Sequence, residues 1–311
     1  TDTVERILNQ RTWSIQDLPA LLSPAARPYL EKMAQVSHHL TVQRFGKVMQ
    51  LYIPMYLSNE CFNTCTYCGF SVENKTQRKT LSQDEIIKEA LLLKEKGFQH
   101  LLVLTGESPR KVGVDYISES ISLLSTYFSS IGIEIQPLEK TEYEKIIQSG
   151  ADSLTLYQET YNPTFYKKYH HKGQKKDFSY RLDAPEKGAQ AGFFKLNLGA
   201  LLGLYDWRYE TLALADHLQY LKKKYWKIKY GVSFPRINDM GTEFHVDFDV
   251  NDHDIVQFIC ALRMIFPDIH INLSTREPAT LRDHLLKLGI TMMSAESHTN
   301  PGGYSGDTSE K

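Results

Sequence analysis

The chain has 311 residues, 41% hydrophobic and 23% charged, with a formal net charge of -1. That composition excludes a disordered chain, and so small a charge gives no bulk reason to expect nucleic acid or an anionic membrane as partner. No run of about 18 apolar residues exists to predict a membrane span, no leader pattern opens the sequence, and three of the four cysteines are clustered, which suits a metal site in a reducing, cytoplasmic compartment better than a disulfide framework.

Residues 1–45 read as a polar-faced helical extension. Ser23-Pro24 supplies a cap and a first helical position. Pro28 delays the regular helix, which is predicted to run to about Val42 with Leu30, Met33 and Ala34 on one face. From about residue 46 to 305 strands and helices alternate. Predicted strands are Val48–Leu57, Leu101–Leu104, Ile133–Leu138, Leu154–Tyr157, Lys195–Leu201, Tyr230–Phe234, Ile269–Leu273 and Thr291–Ala295. Predicted helices are Ser82–Lys96, Tyr116–Phe128, Glu142–Gln148, Tyr180–Gln190, Arg208–Tyr225, Asp252–Ile265 and Ala279–Leu288. Ser82 with Glu85 forms a capping box, and Gly97, Gly150, Gly192 and Gly289 stand where helices should stop. Eight βα units over about 250 residues fit an α/β fold, a (β/α)8 barrel of the TIM type, with an open doubly wound sheet as the alternative. The barrel is preferred because polar residues follow nearly every strand, and a barrel gathers all those strand ends at one mouth.

The first strand leads into Cys61-Phe-Asn-Thr-Cys65-Thr-Tyr67-Cys68. The spacing C-x3-C-x2-C is one thiolate short of an ordinary iron–sulfur site. It also lacks the second cysteine pair or histidines of closed zinc. It fits a [4Fe–4S] cluster held at three irons by Cys61, Cys65 and Cys68, the fourth left open to a chelating ligand. Three unrelated buried thiols or a zinc knuckle is the plain alternative. The stretch resembles the radical S-adenosylmethionine (SAM) enzymes, which carry an aromatic residue before the third cysteine, here Tyr67.

Under that resemblance Gly106-Glu107, after the second strand, would hold the SAM amino group, glycine allowing close backbone approach; a surface turn is the alternative. Gln136, at the end of the third strand, is a guess for the mouth. The fourth strand ends in Tyr157-Gln158-Glu159-Thr160, too polar for core. Glu159 could accept from the SAM ribose or amino group, or simply cap the next helix. His170 and His171 lie in the basic run Lys167–Lys176, read as a solvated loop that could meet a partner or an anionic product, with metal ligation by the two histidines as the alternative. Ser179-Tyr-Arg181-Leu-Asp183 is similar to the biotin-synthase-like branch, where an arginine at this place pairs with the SAM carboxylate; a solvated helical pair with Asp183 is the alternative. Leu198–Tyr205, apolar with two glycines, suits a flat wall against adenine.

Ser233-Phe-Pro-Arg236, Ser274-Thr-Arg276-Glu277, Ser294-Ala-Glu-Ser and Pro301-Gly-Gly-Tyr304, taken with the earlier stretches, resemble one narrow family over essentially the whole chain: the radical SAM tyrosine lyases of thiamine biosynthesis, or 2-iminoacetate synthases. The resemblance implies a carbon–carbon lyase that cleaves L-tyrosine between Cα and Cβ to 2-iminoacetate (dehydroglycine) and 4-methylphenol, while SAM is reductively cleaved to 5′-deoxyadenosine and methionine. It implies that Arg276 binds the substrate carboxylate, with Ser294 nearby, Tyr56 at the cluster side and Arg236 as a second candidate. A structural Arg276–Glu277 pair is the alternative. It also implies an external one-electron reductant of flavodoxin or ferredoxin type and a complex with thiazole synthase, with neither nucleic acid nor membrane involved. Two relatives stay open: the tyrosine lyase of [FeFe]-hydrogenase maturation, which makes carbon monoxide and cyanide and carries three further C-terminal cysteines, and a tryptophan lyase. A non-catalytic iron–sulfur or zinc protein is the reading from another class. Cys260, in an apolar helical run, reads as a buried hydrophobe. Family members continue into a C-terminal tail, so residues 306–311 are expected to begin one that is truncated here.

Overall fold

The computed structural model describes residues 2–237 and 244–306; residues 307–311 of the expected tail lie outside them. Eight parallel strands close into a barrel: β1 (Gln50–Ser58), β2 (His100–Thr105), β3 (Ser130–Glu134), β4 (Ser153–Glu159), β5 (Lys195–Ala200), β6 (Lys229–Ser233), β7 (His270–Leu273) and β8 (Met292–Ser294). Each pairs with its neighbours in chain order, and β1 closes the ring against β8. The open-sheet alternative is thereby set aside.

Strand alternation divides the side chains between two environments. Ile53, Met55 and Leu57 of β1 and Ile131 and Ile133 of β3 point outward and are buried under the helical ring. The inward set is mixed: Gln50, Tyr52, Thr155, Asn197 and Asn272 line the interior beside Leu102 and Met292. Asn272 donates to Asn197, which donates to Ser233 over 2.9 Å. The apolar runs in the sequence thus report the helix-facing side of each strand. Gly199 faces inward because the Tyr157 ring needs its place; a Cβ there would lie 2.1 Å from that ring.

Strand β3 starts and ends earlier than predicted. Ile135–Leu138 is apolar but lies beyond the ladder, and Pro137 has no N–H to offer one. Gln136 does not face the mouth. It is buried, accepts from Ser108 N at 2.9 Å and donates to Val112 O, tying down the loop after β2. The Ser82–Glu85 capping box is present. A short helix, Pro163–Tyr169, starts at the Asn162 cap where no helix was predicted.

The N-terminal segment begins with helix Asp2–Leu8 and ends with 3-10 helix Pro24–Tyr29 and helix Leu30–Phe45. Pro28 therefore does separate a tight turn from the regular helix. The segment packs on helix Asp252–Ile265, where Gln257 Nε2 donates to Leu21 O and Ser23 O, both at 2.9 Å. Cys260 is fully buried in that helix. So is Arg263, which donates to the carbonyls of Pro267, Ile269 and Gly289 and lies 4.9 Å over the Phe45 ring. Burial pulls its guanidinium down to about 10. Arg263→Met is expected to strand three buried carbonyls and destabilise the fold by on the order of 3 kcal/mol. Urea denaturation would read this as a lower midpoint at unchanged slope.

Candidate active site

The cysteine loop leaves β1 at a register shift after Tyr56, one of two such irregularities at the barrel mouth. Arg78 holds the loop, donating to the carbonyls of Asn59, Phe70 and Ser71 at 2.6, 3.0 and 2.7 Å. Asn59 pins the other end by donating to Gln77 O and accepting from Lys79 N. Thr64–Cys65 then pairs antiparallel with His170–Lys172. Gly106 is where the loops after β1 and β2 touch: its N–H donates to Ser58 O at 2.8 Å, and a Cβ would sit 2.2 Å from Glu60 O. The close approach that requires glycine is therefore already made within the protein.

Cys61, Cys65 and Cys68 are free thiols, Cys65 buried and the others half-buried. Burial pushes the Cys65 thiol up to about 12, with the Lys175 charge opposing; Cys68 is raised in the same way. Metal coordination would deprotonate such thiols outright. Three thiols on one pinned loop, beside a cation that offsets thiolate charge, fit a three-cysteine [4Fe–4S] cluster.

Beside the loop lies a charge quartet in which Glu159 and Arg181 are buried and Glu107 and Lys175 half-buried. Arg181 binds Glu107 at 2.7 Å and Glu159 at 3.4 Å, and its Nε donates to Tyr157 O at 2.6 Å. Lys175 binds Glu159 at 2.7 Å and approaches Glu107 at 3.9 Å. Asn63, between the first two cysteines, donates to Glu107 at 2.7 Å. Burial alone would raise both carboxyls. The cations overcome it, Arg181 leading at Glu107 and Lys175 at Glu159, and both end below the usual carboxylate range. The surface turn for Glu107 and the solvated pair with Asp183 for Arg181 thus do not hold, and the next helix is capped by Asn162 rather than by Glu159. Glu159 adopts φ +71°, a left-handed backbone unusual for glutamate and a mark of local strain. Glu210 braces the next turn by accepting from Thr160 Oγ1 and from Tyr161 N.

The basic run Lys167–Lys176 is not the solvated loop expected. His170 is buried: its Nδ1 lies 2.7 Å from Tyr166 O and its Nε2 2.8 Å from the Tyr67 hydroxyl. Burial pulls its pKa to about 3. A neutral ring must then donate from Nδ1 to the carbonyl and accept from Tyr67 at Nε2. Lys175 is half-buried, its ammonium group held in the quartet. Only the pairing with the cysteine loop distinguishes these two from their exposed neighbours, and nothing local in the sequence signals it.

Across the mouth is a chamber built from the inward ends of the strands. Tyr52 stands beside Ser294, and Tyr157 beside Ser233. Tyr56 packs edge-on against Phe70 of the cysteine loop, ring centroids 5.8 Å apart. Ser294 Oγ accepts from Thr275 N at 3.2 Å. Arg276 sits exposed at the rim, its charge reaching Tyr56, Tyr157 and Glu134. It is not paired with Glu277, which is buried and bound by Arg236. Arg236, also tied to Asp252 and Val250 O, is committed to structure. Burial pushes the Tyr52, Tyr56 and Tyr157 phenols upward, so all three are neutral near pH 7. Glu134, at the inward end of β3, was missed because the predicted strand ran past it.

Gly106→Ala is expected to force the two loops apart, and iron content after anaerobic reconstitution should fall well below wild type. Lys175→Met leaves the buried Glu159 carboxylate with only its longer contact to Arg181 and should cost about 3 kcal/mol in denaturant melts. Adding Glu159→Gln should recover part of that loss, because the stranded charge is removed with its partner.

Residues 55–215 match the Radical SAM superfamily, and residues 233–307 match the Biotin and Thiamin Synthesis associated domain. The chain is 46% identical over 302 residues to a 2-iminoacetate synthase of Escherichia coli (strain K12), covering 97% of this chain and 80% of that protein. It is 45% identical to the 2-iminoacetate synthase of Salmonella typhimurium, covering 99% and 82%. The [FeFe]-hydrogenase maturase HydG from Carboxydothermus hydrogenoformans superposes with a TM-score of 0.93 at 33% identity, covering 98% of this chain and 72% of that one. The cysteine loop, the barrel and these likenesses together place the chain in the radical SAM superfamily, as a member of the 2-iminoacetate synthase family.

Proposed function

We propose that the protein is a 2-iminoacetate synthase, a carbon–carbon lyase that converts L-tyrosine to 2-iminoacetate and 4-methylphenol with reductive cleavage of SAM to 5′-deoxyadenosine and methionine. The observation that carries this reading is the likeness to two 2-iminoacetate synthases along nearly the whole chain. HydG is less similar in sequence, which favours this reading over carbon monoxide and cyanide production.

Cys61, Cys65 and Cys68 would hold a [4Fe–4S] cluster, which with SAM supplies a hydrogen-abstracting primary radical when bound. The protein's part is placement. Glu107, Glu159 and Arg181, with Lys175, offer acceptors and donors to the amino, ribose and carboxylate groups of SAM, and Tyr67 is held by His170 at the edge of that site. Arg276 fixes the tyrosine carboxylate, with Ser294 beside it, so that the substrate nitrogen rather than its β-carbon meets the radical. Tyr56 forms the wall between cluster loop and chamber. Such a radical takes the nearest hydrogen, so geometry sets the outcome. After Cα–Cβ cleavage the hydroxybenzyl fragment needs one electron and one proton to become 4-methylphenol. An external reductant of flavodoxin or ferredoxin type would supply the electron. The imine hydrolyses readily, which suits direct transfer to a thiazole synthase in the cytoplasm. No helix of the described residues is long and apolar enough to cross a membrane.

Anaerobic turnover with SAM, a strong reductant and tyrosine should give 5′-deoxyadenosine, 4-methylphenol and glyoxylate from the hydrolysed imine, without carbon monoxide or cyanide. Arg276→Ala should keep its iron and some SAM cleavage while 4-methylphenol drops at least about a hundredfold. Wild-type output from that variant would refute the carboxylate assignment. Cys65→Ser should lose both iron and turnover.

A further inference from the structure

The mouth carries several carboxylates, and most have a cation bonded to them. Glu107 and Glu159 share Arg181 and Lys175. Glu277 is held by Arg236, Glu60 by Lys111 and Glu296 by Lys96. Glu134 differs. It ends β3 on the inward face, two residues beyond Gly132, which lines the barrel interior. It is half-buried, and none of the described residues hydrogen-bonds or ion-pairs with its carboxyl group.

The groups whose charges bear on it are Tyr52 and Tyr56 from β1, Tyr157 and Glu159 from β4, Lys175 and Arg181 from the quartet, and Arg276 from the loop after β7. Helices on the outer side of β3 do not reach it, since Ile131 and Ile133 fill that face. An α-amino acid whose carboxylate sits on Arg276 carries its ammonium group one carbon away. Among the described residues, Glu134 is the uncommitted anion within the reach of Arg276.

The chemistry asks for such an anion. A hydrogen atom leaves a neutral amine far more easily than an ammonium group, which would become a radical cation. Free tyrosine near neutral pH is mostly ammonium, so a proton has to go before the radical acts. Resting on the tyrosine-lyase reading above, we propose that Glu134 is the base that takes this proton. The N–H bond breaks heterolytically, its electron pair stays on nitrogen, and the proton forms an O–H bond on a Glu134 carboxyl oxygen. No electron moves in this step. The remaining N–H then faces the radical. Burial, reinforced by Glu159 and opposed by Arg276, places Glu134 at about 7, where a carboxylate is a competent base. The neutral phenols around it cannot serve.

The test uses the reconstituted protein with SAM and a strong reductant. Wild-type kcat/KM for tyrosine should rise with pH through about 7, as Glu134 ionises. Glu134→Gln should form 4-methylphenol about a hundredfold more slowly or worse near neutrality. It should lose that limb and recover as pH climbs toward the pKa of the ammonium itself. Calorimetry supplies a second readout. Glu134→Gln should bind tyrosine more weakly than wild type, yet bind 3-(4-hydroxyphenyl)propanoate, which has no amino group, equally well. A variant with wild-type rate and pH profile overturns the proposal. So does equal weakening for both ligands, which would mark a merely structural residue. Wild-type protein that makes no 4-methylphenol would overturn the tyrosine reading itself, and the base assignment with it.

Discussion

Two carboxylates and two cations, Glu159 and Arg181 buried and Glu107 and Lys175 half-buried, meet where the loops after β2 and β4 face the cysteine loop. Taking four charges out of water is costly unless each finds its partner. Here each does: Arg181 spans Glu107 and Glu159, and Lys175 closes the other side. The pairing draws segments more than 70 residues apart into one place, because Glu107 also takes a hydrogen bond from Asn63 between two of the cysteines. The geometry of the cysteine loop therefore depends on these charges as much as on its own turns. The same set would meet a zwitterionic ligand with matched donors and acceptors, and so links the stability of the mouth to recognition.

The barrel makes this arrangement possible by turning a largely polar face inward. Its strands bury their aliphatic residues beneath the helices and leave Tyr, Asn, Ser and Glu inside. Among the described residues the chamber sets neutral phenols beside Glu134 and the rim Arg276, so a bound ligand's charges meet few others there. The small structural devices are local to the mouth: a glycine where two loops touch at Gly106, a left-handed glutamate at 159, and register shifts in β1 and β4.

Much of this was legible in the residues alone. Cysteine spacing marks the cluster loop, because three ligands in eight positions have few other uses. The βα repeat gives the barrel, because buried strands and amphipathic helices have different periods. What escaped did so for physical reasons. His170 and Lys175 look like members of a solvated basic run, and only long-range contacts with the cysteine loop draw them in, a strand pairing for His170 and a hydrogen bond to Asn63 for Lys175. Arg236 and Arg276 are alike as residue types; one is committed by Glu277, across a contact that no local pattern encodes. Glu134 was passed over because Ile135 and Leu138 continue the apolar run, although they pack a loop rather than a strand.

The contact between Gly199 and the Tyr157 ring bears on how this chamber can diversify. A ring on one strand occupies the place that a side chain on the next would fill. Neither position can therefore be explored alone: a methyl group at 199 meets the ring, and a smaller residue at 157 opens a void. A lineage that reshapes its chamber for a substrate of different girth must pass through coordinated exchange at both sites. Covariation between them across relatives would record that history, independently of the residues that grip the amino-acid end of the ligand.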